Sequence, residues 1–375
     1  MLTPSAVESA RFGFKVHRAH HKDLDVRAFA QAVLAEQADL VVLRVPASER
    51  EVAQRLARAG LPAVVADTLV YYTLDYSKHE PRALRNKDLV FSVLREEHRE
   101  VLERSVGEIF ASYRNHYDAN LFLRREDFME GYKQWAMGHS EGLDPDKIAW
   151  VVHRGDQYVG FCTCSHDEEA GVGEGVLYGV DPNASGGGVY GDMIRFTSQY
   201  YKERGFKKMR VSTQVENFAV QKVWAREGFY MDEALQTVHI NAFLSHSELE
   251  PVQATFRVSH QMIERFGDVS GDRNSMHFDD AAAIAAGLEG RIAHGLIVQA
   301  EISRILGVVR PGPGTMFLWS GSTFLAPVYP ERDYALRIAF PHVDKKRGIY
   351  KAVVTLRTAE GRLCLLGYSD LMRRG

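Results

Sequence analysis

The stretch FLSHSELEP, residues 243–251, separates two patterns of secondary structure that do not belong to one sheet plan. It is polar, lacks periodicity and ends in proline, so it reads as a domain boundary. Before it, helical and strand-like runs alternate. DVRAFAQAVLAEQ and EREVAQRLARAG have helical spacing, the second stopping at Gly60, while ADLVVLRV and DTLVYYTLDY read as strands. The alternation continues from residue 77. SVLREEHREVLERSVGEIFASY is expected to form one long helix, and IAWVVHRGDQYVGFCTCSH a hairpin turned at RGDQ. GVGEGVLYGV reads as a strand, DMIRFTSQYYKERG as a helix, KKMRVSTQV as a strand and NFAVQKVWAREGF as a helix closing at Gly228. After the break, the strand QATFRVS leads to the helix GLIVQAEISRILGVV. Four strands follow: TMFLWSGSTFL, DYALRIAFPHV, GIYKAVVTLRT and LCLLGYSDLM. One helix wrapped by antiparallel strands is an α+β plan. The expected class is therefore α+β and multidomain, with an N-terminal α/β extension (1–76), a mixed sheet with flanking helices (77–244) and an antiparallel sheet wrapped round a helix (250–375).

A length of 375 residues supports this division, since a domain takes roughly 150. The net charge of −3 leaves no electrostatic footprint for nucleic acid, and the scattered Lys and Arg form no membrane-binding face. Apolar runs stop well short of the ~20 residues that span a bilayer, and the start MLTPSAVESARFGFK has no apolar core of a signal peptide. The expected location is cytoplasmic. Cys162, Cys164 and Cys364 have neither zinc-ligand nor disulfide spacing and read as small buried thiols; no metal or resident cofactor is expected.

Two stretches carry chemistry. In VDPNASGGGVYGDMI, a strand ends in Gly186, Gly187 and Gly188 and a helix begins. Such glycines let backbone N–H groups approach an anion, and the helix adds its positive dipole end. A flexible turn is the plainer alternative. The stretch is neither a P-loop nor a GxGxxG motif. In GDRNSMH, residues 271–277, Asp272 and His277 could hold a water between them, one removing its proton and the other protonating carbon. An Asx turn followed by a structural histidine is the plainer alternative here.

The first stretch resembles the acyl-coenzyme A loop of the GNAT N-acyltransferases. Val180, Pro182, Gly186 and Gly188 match, while Ser185 and Tyr190 depart from the usual Arg or Gln and small residue. Asn217 through Gly228 and Phe229 match the later family pattern, with Trp224 where tyrosine is usual. The resemblance covers residues 77–242. It implies the GNAT fold and a coenzyme A diphosphate held by Val180, Ser185, Gly186, Gly187, Gly188, Val189, Tyr190 and Asn217. It also implies attack of an amine on a thioester. Glu174 is the candidate base, with a solvated strand-edge carboxylate as the alternative. Indole is no acid, so the thiolate takes its proton elsewhere; Tyr178 and Tyr190 are candidates. Trp224 either shapes an acyl pocket or packs in the core. The N-terminal VLRVP and ADTLVYY look like the extension of bacterial TDP-fucosamine acetyltransferases, which implies a nucleotide-linked amino sugar as acceptor.

FGDVSGDRNSMHFDDAAAIAAGLEGRIAHGLIVQ resembles the MaoC-like (R)-specific enoyl-CoA hydratases of the hotdog fold. Phe266, Ser270, Gly271, Asp272, Asn274, Met276, His277, Ala293, His294 and Gly295 match, and Ser275 replaces a proline. The resemblance covers residues 250–375. It implies Asp272 and His277 as the water-activating pair, Asn274 as their orienting group and the Gly295 N–H as the thioester-polarising donor. It also implies pairing with a second copy, hence a homodimer. Together the resemblances imply acyl-CoA as co-substrate, hydration of a 2-enoyl thioester such as crotonyl-CoA, and transfer of the 3-hydroxyacyl or an acetyl group for surface glycans. A non-catalytic dimerisation or acyl-CoA-binding module, or a thioesterase, are the alternatives for the second half.

Overall fold

The computed structural model describes residues 1–111 and 113–374. In chain order the elements are β1 (Thr3–Pro4), α1 (Ala6–Phe12), β2 (Val16–His20), α2 (Val26–Ala35), β3 (Leu40–Pro46), α3 (Val52–Arg58), β4 (Ala63–Asp75) and β5 (Leu89–Val93). Then come α4 (Arg99–Ile109), α5 (Arg125–Met137), β6 (Lys147–Arg154), β7 (Gln157–Asp167), β8 (Val172–Val180), α6 (Val189–Glu203), β9 (Lys208–Gln214), α7 (Phe218–Arg226) and β10 (Tyr230–Asn241). The last part holds β11 (Val252–Arg257), α8 (His260–Ser270), α9 (Ser275–Phe278), α10 (Asp280–Ala285), α11 (Gly295–Val308), β12 (Thr315–Phe324), β13 (Asp333–Asp344), β14 (Ile349–Thr358) and β15 (Leu363–Arg373).

The first ten strands form one sheet in the order β1-β2-β3-β10-β4-β9-β8-β7-β6-β5. The sheet runs through residue 76: β4, from the first segment, lies between β10 and β9. Residues 1–76 therefore share a core with β10, where Val41 and Leu43 pack with Val238 and Ile240. The strand β3, LVVLRVP, is nearly all buried because it pairs on both sides, in parallel with β2 and antiparallel with β10. The expected long helix from residue 92 is divided. Ser92 and Val93 pair with Val151 and Trp150 as the end of β5, and the α-helix covers only Arg99–Ile109. Cross-strand pairing there outweighs helical spacing.

Strands β8 and β9 are parallel and pair only from Val172–Lys208 to Gly175–Val211. Beyond Gly175 they diverge, leaving a notch inside the sheet. Helices α6 and α7 cover one face, where Met193, Ile194, Met209, Val211 and Trp224 form a core. The opposite face of the strands beside the notch carries polar side chains.

Residues 250–374 form a five-stranded antiparallel sheet, β11-β13-β14-β15-β12, curled round α11. Ile297, Val298, Ile302, Ile305 and Leu306 of that helix sit in the same core as Leu336, Ile338, Val354 and Leu365. This is the expected hotdog arrangement. The outer face of this sheet meets the first domain: Val353 and Leu366 pack with Val33, Val41 and Val238. The segment 243–251 is clasped from both sides. Buried Asp39 accepts from the N–H of Lys15 (2.9 Å), Ser245 (2.8 Å) and His246 (2.8 Å) and from the Ser245 hydroxyl (2.8 Å). Ser247 Oγ accepts from the Phe340 N–H at 2.8 Å. Among the described residues, no helix is long and apolar enough to cross a membrane.

Candidate functional sites

In the C-terminal domain, Ser259 caps α8 and Gly271, at φ +75°, ends it in a left-handed turn that glycine adopts without strain. The chain then reverses into Asp272. The Asn274 N–H donates to Asp272 Oδ1 (3.1 Å), while the Asn274 side-chain oxygen accepts from the Met276 N–H (3.2 Å) and so caps the short helix that carries His277. Asn274 thus fixes both partners through the turn. His277 Nδ1 lies 2.8 Å from the Ile292 carbonyl oxygen, so that nitrogen carries the proton and Nε2 keeps its lone pair.

His294 stacks on His277 with ring centroids 3.8 Å apart, and its Nε2 lies 3.1 Å from the Asp272 carbonyl oxygen. One side-chain atom each from Asp272, His277 and His294 fall within 4.8 Å of one another. That donor set could hold a divalent cation, though each histidine already gives one nitrogen to a carbonyl. His294 is buried while Asp272 is exposed. In sequence His294 matches the motif but nothing there gives it a role; the stack on His277 does. Gly295 opens α11, where the first N–H groups have no partner within the helix. A Cβ at Gly295 would come 2.7 Å from Phe324 Cζ, so the lack of a side chain is what lets β12 approach the helix end. Carboxylate, imidazole and helix N-terminus therefore meet in one patch, a set suited to moving protons beside an oxyanion.

In the N-terminal domain, β8 ends at Val180 and a 3-10 turn, Pro182–Ala184, leads to the glycines. Gly186 and Gly188 have φ of +83° and +81°, and Gly188 caps α6. Ser185, Gly186 and Gly187 lie toward solvent, whereas Val189 turns into the core and can meet a ligand only through its backbone. Asn217 caps α7 and donates from Nδ2 to Thr213 Oγ1 at 3.0 Å, tying the end of β9 to the helix.

A group with no signal in the sequence joins this cradle. The buried Asp192 carboxylate accepts from the N–H of Arg85 (2.8 Å) and Asn86 (2.9 Å), pinning residues 85–86 over the start of α6. Asn86 Nδ2 donates to the Gly187 carbonyl at 2.9 Å, and a Cβ at Gly188 would sit 3.9 Å from Arg85 Nη1. The linker thus brings a guanidinium to a loop whose own sequence has Ser185. Only the tertiary contact through Asp192 reveals it.

Trp224 packs in the core with Tyr72, ring centroids 5.4 Å apart. Burial pushes the Tyr178 hydroxyl well up, with Cys164 and Cys162 adding to the shift, and Tyr178 bonds the Thr197 hydroxyl at 2.8 Å. Burial also raises the Tyr190 hydroxyl. Both are therefore poor proton donors. Glu174 lies opposite Arg210 where β8 and β9 still pair. Burial pushes its carboxyl up, against the pull of Arg210 and Arg44, which suits a group that accepts a proton.

Beneath the turn His116–Ala119, the buried His116 Nδ1 and His239 Nε2 lie 2.8 Å apart, and Asn120 Nδ2 is 3.1 Å from His239 Nδ1. His116 and His239 are 123 positions apart in sequence, so no local pattern marks them.

Residues 109–229 match the acetyltransferase (GNAT) family model and residues 245–361 the MaoC like domain model. A 3-hydroxybutyryl-CoA dehydratase of Methylorubrum extorquens is 37% identical over 71 residues, which is 19% of this chain and 45% of that protein. An (R)-specific enoyl-CoA hydratase of Aeromonas caviae is 26% identical over 105 residues, 28% of this chain and 78% of that protein. The matched stretch spans less than half of the first relative. Among solved structures, the A. caviae (R)-hydratase aligns at 22% identity and a TM-score of 0.33, covering 35% of this chain and 98% of its own. A GCN5-related N-acetyltransferase from Sphaerobacter thermophilus aligns at 16% identity and 0.39, covering 53% and 59%. The chain therefore joins a GNAT acetyltransferase domain at residues 109–229 to a C-terminal MaoC-like domain at residues 245–361.

Proposed function

We propose that this chain is a two-site acyl-coenzyme A enzyme of the cytoplasm, divided as residues 1–76, 77–244 and 250–375. The C-terminal site hydrates a 2-enoyl-CoA such as crotonyl-CoA to the (R)-3-hydroxyacyl-CoA. The N-terminal site transfers that group, or acetyl, to the amine of a nucleotide-linked amino sugar for surface glycans. No cofactor stays bound; acyl-CoA is the co-substrate of both.

The observation that carries this reading is the convergence of Asp272, His277 and His294 at the start of α11, in a chain that also holds a glycine cradle at α6. In hydration, one of Asp272 and His277 takes a proton from water as its oxygen bonds the β-carbon. The α-carbon then takes a proton from the other, while the Gly295 N–H carries the enolate charge. The reverse is dehydration, the activity in the name of the M. extorquens relative. In transfer, the acceptor's ammonium gives one proton to Glu174, its nitrogen attacks the thioester carbon, the C–S bond breaks, and the nitrogen's second proton passes through water to the thiolate. Val180, Ser185, Gly186, Gly187, Gly188, Val189, Tyr190 and Asn217 hold the diphosphate arm, Arg85 adding a charge.

A homodimer through the C-terminal domain belongs to this reading. Met316, Phe317, Leu318 and Trp319 of β12 are exposed in the single chain, an apolar run that a second copy would cover. The test is mass spectrometry of the products from purified protein given crotonyl-CoA and amino sugar nucleotides. A 3-hydroxybutyryl amide is expected. If an amine the protein demonstrably acylates yields only unhydrated or no product, the two sites do not share a pathway step.

A further inference from the structure

The row of side chains facing away from α6 and α7 carries an unmet binding demand. Thr237 on β10 pairs in register with Arg44 on β3 and with Asp67 on β4, so the three side chains share one sheet face. Each has a buried polar atom without a hydrogen-bond partner: Arg44 Nε, Thr237 Oγ1 and Asp67 Oδ1. Thr237 is fully buried. Buried polar groups are rarely left unpaired, since each costs about 1–3 kcal/mol, and three in one row are not scattered defects.

The neighbours extend the row toward the notch. Arg44 Nη1 donates to the Tyr71 hydroxyl at 3.2 Å, and the Arg210 guanidinium lies 4.1 Å from the Tyr71 ring centroid with its own Nε buried and unpaired. Glu174 pairs in register with Arg210. Gln214 Nε2 reaches Asp67 Oδ2 at 3.5 Å, and Tyr113 donates to Gln214. Among the described residues, neither Arg44 nor Asp67 forms a salt bridge, although Arg210 pairs with Glu233. Two unsatisfied groups of opposite charge thus flank a strand, roughly two strand spacings or ~10 Å apart.

We propose that this row is the acceptor pocket and that it selects an amine carrying its own anionic group, Asp67 holding the amine and Arg44 the anion. The class rests on the transferase reading above and refines it. Both charges of such a molecule find partners. Burial pushes the Asp67 carboxyl up, against the pull of the neighbouring Thr237 hydroxyl and the Arg44 charge. Arg44 lies in the N-terminal extension, outside residues 109–229, so the extension completes the pocket.

The test uses the full chain, acetyl-CoA and three matched amines: glucosamine, glucosamine 1-phosphate and glucosaminic acid. The anionic pair should show KM values at least ~10-fold below glucosamine, the equivalent of about 1.4 kcal/mol. The better of the two identifies phosphate or carboxylate as the anion. Arg44→Gln should erase the gap and Arg44→Lys restore part of it, while crotonyl-CoA hydration and the KM for acetyl-CoA stay unchanged. Asp67→Asn should weaken all three amines. Calorimetry with each amine alone gives a readout independent of transfer. Binding of an anionic amine that is lost in Arg44→Gln, with no acylation of any amine, would keep the pocket and remove the transferase reading. Equal KM values in the unmodified protein, a gap that survives Arg44→Gln, or neither binding nor transfer would overturn the proposal.

Discussion

Replacing Gly188 by valine tests the cradle at its most constrained point. Its φ of +81° lies in the left-handed region, where a β-branched residue is strained by about 1–3 kcal/mol. Space is not the obstacle: the nearest atoms to an added Cβ are Asn86 Nδ2 at 3.6 Å and Arg85 Cδ at 3.8 Å, ordinary contacts. The exposed loop will relieve the strain by turning its N–H groups away from the anion. One or two charge-assisted hydrogen bonds at ~1.5–3 kcal/mol each would be lost. The KM for acetyl-CoA in a thiol-release assay should therefore rise about 10- to 100-fold or more. The melting midpoint should fall by only a few degrees, about 2–4 °C for each kcal/mol in a region of this size. Hydration of crotonyl-CoA should not change, because Gly188 lies in the other domain. A lowered melting midpoint with an unchanged KM would refute the argument and leave the glycines as a plain turn.

Three further outcomes are expected. Asp272→Asn keeps the shape but not the basicity and should cut hydration by ~10²–10⁴-fold, while transfer of ready-made 3-hydroxybutyryl-CoA persists; a loss below tenfold removes Asp272 from the chemistry. Burial holds His239 down at about 4, below its ordinary 6.5, so the unfolded chain binds its proton first as pH falls. Its contribution to stability is complete above pH ~6.5 and is lost toward pH 4, about 3 kcal/mol by linkage; buried His116 adds in the same direction. Denaturant titrations at pH 7, 5.5 and 4 should show that slope, and His239→Gln should flatten it. Asp39→Ala removes the acceptor of the part-buried N–H groups of Lys15, Ser245 and His246, at about 1–3 kcal/mol in all. Limited proteolysis should then cut at residues 243–251, which should resist cleavage in the unmodified protein.

Local signals in the chain were enough for the pieces that short stretches specify. The α+β class and the succession of one long helix and four strands after residue 290 come from periodicity and turn residues. So does the Asp272–Asn274–His277 turn, because a handful of consecutive residues suffices to set its hydrogen bonds. Tertiary packing settled whatever depends on strands that meet across long separations. It brought β4 between β10 and β9 and so merged residues 1–76 with the rest of the sheet. It set His294 on His277, Arg85 beside Gly188 and His116 against His239. It also aligned Arg44, Thr237 and Asp67 in one register row. Arg44 and Thr237 stand 193 positions apart (237 − 44), and neither has a local pattern that distinguishes it from a surface residue. Register is fixed by burial of the whole sheet face, so the partners of a single polar side chain become legible only when every strand has found its neighbour.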